Sequence, residues 1–497
     1  MNASLYIGAT GLKGLAEGMN VVTNNIANAN TVGYKQQNLL FSDLMYTDQG
    51  NTGEGWGTQQ DSYVGLGQTG KGLQVDSVRT LFGQGGLESG ADVTDLAIGG
   101  KGFFQVTTAD GATRYTRAGN FRFDADGYLN LPDGSTLTGY AVDAAGKKGA
   151  AGPIQVSPTV TSAAQATSEI ALSLNLGVTE DRASSTTNPY FGLLQSWDSN
   201  QSPPLSSNEY AYAQPLRVYD AEGNAQTLTL YVDGTPSTTD GNKTLEFILA
   251  AANQVTAGQS SGDAPLLSGT LTFNGAGQLT DMSAFTTTAN TPNDLTTWTP
   301  AALTNGVPQF TLNGQAVTLD LGLHAAGNWT HSPASAAAVG ADGTQLPSMG
   351  STATRTATAT TAYAGSSSQR SFSQNGYAQG ALSTLEVAPD GKVVGSFTNG
   401  QSRTLYEIPI CRFTSEDGLR REGNNLFSMT NDAGVMDMGT AGTENYGKIN
   451  AQTLETSNVD MAREMVNMIV TQRGFQSNSK VITTADTMLQ KAIELKR

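Results

Sequence analysis

Leu5, Leu12, Met19 and Ile26 fall seven residues apart at the start of the chain, and Leu15 and Val22 mark a second seam three residues after Leu12 and Met19. Apolar residues at heptad spacing are the signature of a helix lying along another helix. The other end repeats the sign more strongly. Leu454, Met461, Met468, Phe475, Ile482 and Leu489 hold one register, supported by Met465 and Ile493 four residues after Met461 and Leu489. A stripe of this kind in mid-chain would most simply pack on its own globular core. Because both ends carry it, the pattern predicts a terminal helix at each end and a short coiled coil made from the two.

The region between has another texture. From about 72 to 145 short β-rich runs alternate with Asp110-Gly111, Asp126-Gly127 and Asp133-Gly134, pairs that suit tight primed hairpin turns. The same texture returns at 380 to 430, in "LSTLEVAPDGKVVGSFTNG". A Thr/Ala/Ser/Gly-rich block with its own strands stands between and reads as inserted. The expected fold is multi-domain and mainly β with α-helical termini. Residues 1–30 and 450–497 form the terminal helical domain and 31–75 a linker. Residues 76–145 and 371–449 form an inner β domain, and 146–370 an inserted outer β region of one or two units.

Composition narrows the function. A chain of 497 residues exceeds one hydrophobic core. Its net charge of -16 argues against nucleic acid and anionic membranes, which need clustered Lys and Arg, and leaves protein as the expected partner. No run of about 18 apolar residues predicts a membrane span, and the N-terminus lacks the cationic and apolar regions of an ordinary signal peptide. The single cysteine, Cys411, sits in an apolar run and reads as a buried inert thiol.

Candidate chemistry is thin. "GLGQTGKG" at 65–72 matches a phosphate-loop spacing but lacks the apolar strand before it and the helix after it, so it reads as a glycine-rich linker. "DADG" at 124–127 reads as a turn, and His324 and His331 as surface residues too few for a triad or a histidine metal site. No catalytic residue, cofactor or metal is expected. Nothing in the sequence points to the paired carboxylates of a hydrolase, whose chemistry is set by their separation in space.

"NNIANANTVGYK" at 24–35, "DLAIGGKGFFQV" at 95–106, "YTRAGNFRFDADGYL" at 115–129 and "LETSNVDMAREMVNMIVTQRGFQSNSKVITTADTML" at 454–489 resemble the bacterial flagellar axial proteins of the rod and hook. The length and the inserted block resemble the longer members rather than the short rod members. The resemblance implies a helical homopolymer in which the terminal helices line a tube. It also implies rod proteins, hook-associated proteins and a hook cap as neighbours, export through the flagellar type III apparatus without a cleaved signal peptide, and an extracellular place in the flagellum. On this reading the apolar heptad residues are the assembly interface. Asn24, Asn25, Asn28, Asn30 and Gly33 mark the turn where the first helix leaves the tube, since Asn and Gly tolerate the left-handed backbone that ends helices. Two departures from the family pattern are Gly474 inside the last helix, costing roughly 1 kcal/mol, and the missing glycine before Leu454-Glu455. The competing readings are a distal rod or junction protein of the same family and a secreted β-domain hydrolase or adhesin.

Overall fold

The computed structural model describes residues 2–44, 47–48, 68–157, 159–198, 201, 203–235, 241–251, 264–289, 291–443 and 445–494. Gly65 and Gly67 of the glycine-rich stretch, and part of the expected linker, lie outside them. The chain divides into two compact units, Met1–Val160 with Leu382–Arg497, and Thr161–Ala381. The boundaries lie later than the change of texture at 146 and 370. Lys148–Pro153 pairs with Thr136–Val142, and Gly380–Val387 pairs with Lys392–Phe397, so strand pairing carries the first unit past the change in composition.

The first unit holds two long helices, α1 (Asn2–Ala27) and α3 (Met461–Glu494), while the short α2 (Gly192–Ser196) belongs to the second unit. Asp460 sets the start of α3, its Oδ1 accepting the backbone N–H groups of Ala462 at 3.0 Å and Arg463 at 3.1 Å, an N-cap. Leu454 therefore lies outside the helix despite its heptad spacing. It belongs to the strand Thr453–Glu455, paired with Leu87–Ser89.

Beside the helices, Gln37–Asp43 and Leu73–Thr80 form an antiparallel two-stranded ribbon, so part of the expected linker is regular structure. The β core of this unit gathers Leu96, Ile98, Phe104, Phe121, Leu137, Ile408, Ile410 and Ile449 from both halves of the chain. A second cluster, around Phe103, Cys411, Phe413 and Phe427, adjoins the helix junction.

The three Asp-Gly pairs do close hairpins, but not through primed turns. Only Gly111, Gly127 and Gly134 have positive φ, 81°, 84° and 83°. The aspartates stay on the ordinary side, and two of their carboxylates take backbone N–H groups: Asp110 Oδ1 accepts from Ala112 at 3.3 Å and Asp133 Oδ1 from Ser135 at 3.0 Å. This is a type I turn closed by a left-handed glycine. Primed turns with both central residues left-handed occur at Asn305-Gly306 and Asn313-Gly314.

The second unit is a sandwich. A six-stranded antiparallel sheet, running in order from Tyr212–Tyr219 to Thr299–Pro300, and a five-stranded sheet containing Glu169–Asn175 and Gln315–Asp320 enclose Leu172, Leu230, Phe247, Leu271 and Phe310. The far face of the six-stranded sheet packs under α2 with Phe191, Trp197, Ile248 and Trp298.

Candidate functional site: the helix pair and its buried junction

The two helices pack antiparallel, and small or polar residues face each other along the seam. A Cβ added at Gly8 would lie 2.9 Å from Ile482 Cγ1, and one at Gly11 2.9 Å from Asn478 Nδ2. Further along, Gly474 faces Leu15, Gly18 faces Thr471, and Asn25 meets Glu464. The facing positions on α1 step by three, four, three and seven residues, a heptad rhythm carried mainly by glycine. Gly474 thus leaves α3 continuous and makes room for Leu15, whose Cδ1 would meet an added Cβ at 3.2 Å.

The predicted interface residues divide accordingly. Leu5, Leu12, Leu15, Met19, Val22 and Ile26 are half-buried on α1, as are Met468, Ile482 and Leu489 on α3. Met461, Met465, Phe475 and Ile493 are exposed. Helical spacing puts Met461, Met465 and Ile469 in one exposed row and Val466, Val470, Val481 and Met488 in another. Met465 is 51% exposed and Val470 64%.

The asparagine run ends α1 in a junction with the C-terminal motif. Asn25 is the buried hub. Its Oδ1 accepts from the Gln37 backbone N–H at 2.9 Å and from the Tyr34 hydroxyl at 3.3 Å, and its Nδ2 donates to the Gln37 carbonyl at 2.8 Å and to Glu464 at 3.4 Å. Asn28 Nδ2 donates to the Asn24 carbonyl at 2.9 Å, an end-of-helix bond. Asn24 and Asn30 are exposed. Gly33, at φ 69°, makes the bend, and its N–H donates to the Glu455 carbonyl at 2.7 Å. A Cβ there would fall 2.5 Å from the Ala118 nitrogen, so only glycine fits.

Beneath the bend lies a charge lock. Lys35 Nζ sits 2.5 Å from Glu455 Oε1, with both side chains 0% exposed. Arg117, 3% exposed, holds Glu455 Oε2 at 3.1 Å. Lys35 also donates to the Gly83 carbonyl at 2.8 Å, Gly85 N–H to Glu455 Oε1 at 2.9 Å, and Arg117 Nη2 to the Gly100 carbonyl at 2.7 Å. Burial lowers the Lys35 ammonium from its ordinary value, and the Glu455 charge opposes that shift. Burial likewise lowers Arg117, against the same carboxylate. Asn458 closes the site, accepting the Gln36 N–H at 2.7 Å and donating to the carbonyls of Leu81 at 2.8 Å and Gly83 at 3.0 Å.

Lys35, Arg117, Glu455, Asn458 and Glu464 escape the sequence reading. The available sign was a charged residue in each of three otherwise weakly charged motifs, "VGYK", "YTRAG" and "LETS". Elsewhere the polar candidates have local roles: His324 pairs with Asp320 at 3.1 Å and His331 with Gln345 at 3.2 Å.

Comparison with known proteins gives this architecture a class. Residues 5–35 match the flagella basal body rod protein family, 97–168 the flagellar hook protein FlgE/F/G D1 domain, 195–377 the flagellar basal body protein FlaE D2 domain, and 450–495 the flagellar basal body rod FlgEFG protein C-terminal family. In their chain order these regions define a flagellar axial protein. The chain is 29% identical to a flagellar hook protein of Borreliella burgdorferi, with all of both chains covered. It is 27% identical to that of Treponema pallidum over all of both chains, and 28% identical to that of Escherichia coli over 98% of each. A solved flagellar hook protein of Helicobacter pylori is similar over 74% of this chain and all of that one, at 15% identity and a TM-score of 0.44. Together the four matched regions and the full-length relatives support a flagellar hook protein, with the function of a hook subunit.

Proposed function

We propose that this subunit polymerises into a short curved tube that carries torque from a rotary motor to the filament while bending at each turn, with α1 and α3 lining the tube. The two exposed apolar rows on α3 carry this reading. A single chain leaves Met461, Met465, Val466, Ile469, Val470, Val481 and Met488 in water, and a long helix with apolar rows outside its own seam is completed by further helices, here those of neighbouring copies. The predicted interface residues then fall into two groups. Leu15, Met468 and Ile482 belong to packing within the subunit, and Met461, Met465, Phe475 and Ile493 to contacts between subunits. The role is mechanical rather than catalytic. Rod and hook-associated proteins and a cap are the axial neighbours, and the subunit reaches an extracellular position through the flagellar type III apparatus.

Polymerisation of purified full-length variants tests the assignment. Val466→Asp and Met465→Asp place a carboxylate on an exposed face and leave subunit melting unchanged. In the tube the same carboxylate is buried unpaired, at a cost of several kcal/mol per subunit, so no tubes form at concentrations where wild type assembles. Thr358→Asp, exposed on the second unit, serves as the control. Normal tubes from both α3 variants would remove these rows from the subunit interface.

A further inference from the structure

On the far face of the six-stranded sheet in the second unit, four directly paired residues form a buried polar row. Asp233 stands opposite Glu246, Glu246 opposite Thr270, and Thr270 opposite Ser283. Asp233 is 0% exposed and Glu246 2%. Thr270 and Ser283 satisfy each other, their hydroxyls 2.8 Å apart. The two acids instead suspend the covering segment from the sheet. One oxygen of Asp233, Oδ2, accepts the backbone N–H groups of Arg182 at 2.7 Å and Ala183 at 2.9 Å, and one oxygen of Glu246, Oε1, accepts that of Leu193 in α2 at 3.0 Å.

The other Asp233 oxygen, Oδ1, is buried without a hydrogen-bond partner. Among the described residues neither acid has an ion-pair partner. The Arg182 guanidinium turns to Glu180 and to the carbonyls of Ser207 and Tyr210. Lys243 precedes Glu246 by three residues on the same strand and so lies on its opposite face. The remaining charged group felt by the pair, Asp181, is a third acid. Two adjacent carboxylates withdrawn from water without a cation lose hydration and repel each other, and a proton shared between them relieves both penalties.

We propose that Glu246 keeps its proton at neutral pH and donates it from Oε2 to Asp233 Oδ1, so that one proton clasps the 181–193 cover onto the sheet. Directly opposed residues have Cβ atoms about 5 Å apart, within reach of these side chains. The assignment gives the orphaned oxygen a donor and leaves Glu246 Oε1 to the Leu193 N–H. Burial pushes Glu246 well above the usual carboxylate range, with the charges of Asp233 and Asp181 adding to it, and burial raises Asp233 and Asp181 as well. For a group raised in the folded state, the stability it contributes is complete below the unfolded value and is lost as pH rises through the folded one. The clasp thus holds in acid and loosens in alkali.

Melting of the full chain from pH 5 to 9, read by tryptophan fluorescence, tests the clasp, because Trp197 and Trp298 lie in the core under the cover. In wild type the folding equilibrium of this unit weakens with rising pH, by up to about tenfold per pH unit for one proton. Glu246→Gln keeps the acceptor for Leu193 and offers Asp233 a permanent N–H, so it flattens the slope. Asp233→Asn flattens it too and replaces the first variant if that fails to fold. The infrared carbonyl band of a protonated carboxyl, present at pH 7 in wild type, is absent in Glu246→Gln. Equal slopes in wild type and variants, or no lost band, would overturn the proposal. So would a wild-type melting point raised by calcium and lowered by chelator, which would put a cation where the proton is assigned.

Discussion

Removing the Glu455 carboxylate should be the most damaging single change in the first unit. It balances two cations, Lys35 and Arg117, that are 0% and 3% exposed, so Glu455→Ala leaves both buried and unpaired. Breaking a buried pair from one side costs about 3–5 kcal/mol, and the orphaned Gly85 N–H adds about 1–3 kcal/mol. Against a total of about 5–15 kcal/mol for a domain, the junction between helices and β core should open. Lys35→Met is the informative contrast. It removes the excess cation and leaves Arg117 and Glu455 as a one-to-one pair, so its cost should stay near 1–2 kcal/mol, mainly the lost bonds to Gly83 and Glu455. Glu455→Gln keeps an acceptor without the charge and should fall between. Urea unfolding of the full chain gives the three values, and hydrogen exchange over 30–37, 83–100 and 448–458 locates the opening. If Lys35→Met costs as much as Glu455→Ala, or Glu455→Ala costs under about 1 kcal/mol, the excess of buried positive charge does not govern this site.

The seam and the buried thiol give two simpler tests. Gly8→Leu places its Cβ 2.9 Å from Ile482 Cγ1, so it should destabilise the helix pair by about 1–3 kcal/mol despite a gain of about 1 kcal/mol in helix propensity. Circular dichroism melting measures this, and the companion change Ile482→Ala should recover part of the loss. Cys411 is fully buried, and burial pushes its thiol up to about 12, so alkylation at pH 8 should occur only in denaturant. Fast labelling of the native protein would contradict that burial.

How much of this was legible in the chain varied with the distance over which the physics acts. Helix existence was readable, since Leu5, Leu12, Met19 and Ile26 record a local period. The seam was not. Apolar spacing counts glycine as a gap, whereas Gly8, Gly11 and Gly18 are where the two backbones come close. Leu454 shows the same weakness from the other side: seven residues before Met461 is the right interval, but Asp460 caps the helix and the preceding residues pair with Leu87–Ser89. The Asp-Gly pairs announced hairpins because turn chemistry is local, while the type of turn went with carboxylates of Asp110 and Asp133 that take nearby backbone N–H groups. The charge lock brings together positions 35, 117 and 455, and no window of sequence contains all three.

Glycine at the seam and charge at the junction have a joint consequence for a subunit that assembles. A seam built from Gly8, Gly11, Gly18, Asn478 and Thr471 fixes the distance between the helices through shape. The larger apolar residues of α3, Met465, Val466, Ile469 and Val470, stay outside it. The hydrophobic free energy of this helix, at about 25 cal/mol per Å² of apolar area, is therefore still available to contacts between subunits. Direction is set separately. Asn25 and Glu455 bind backbone groups of the ribbon and the β domain through directional bonds, and such bonds specify orientation where apolar packing tolerates sliding. On the proposed assembly, a polymer that must bend without dissociating benefits from this division: the helices keep a fixed exit angle from their own β domain, while the non-directional apolar rows would make the contacts that shift as neighbours move.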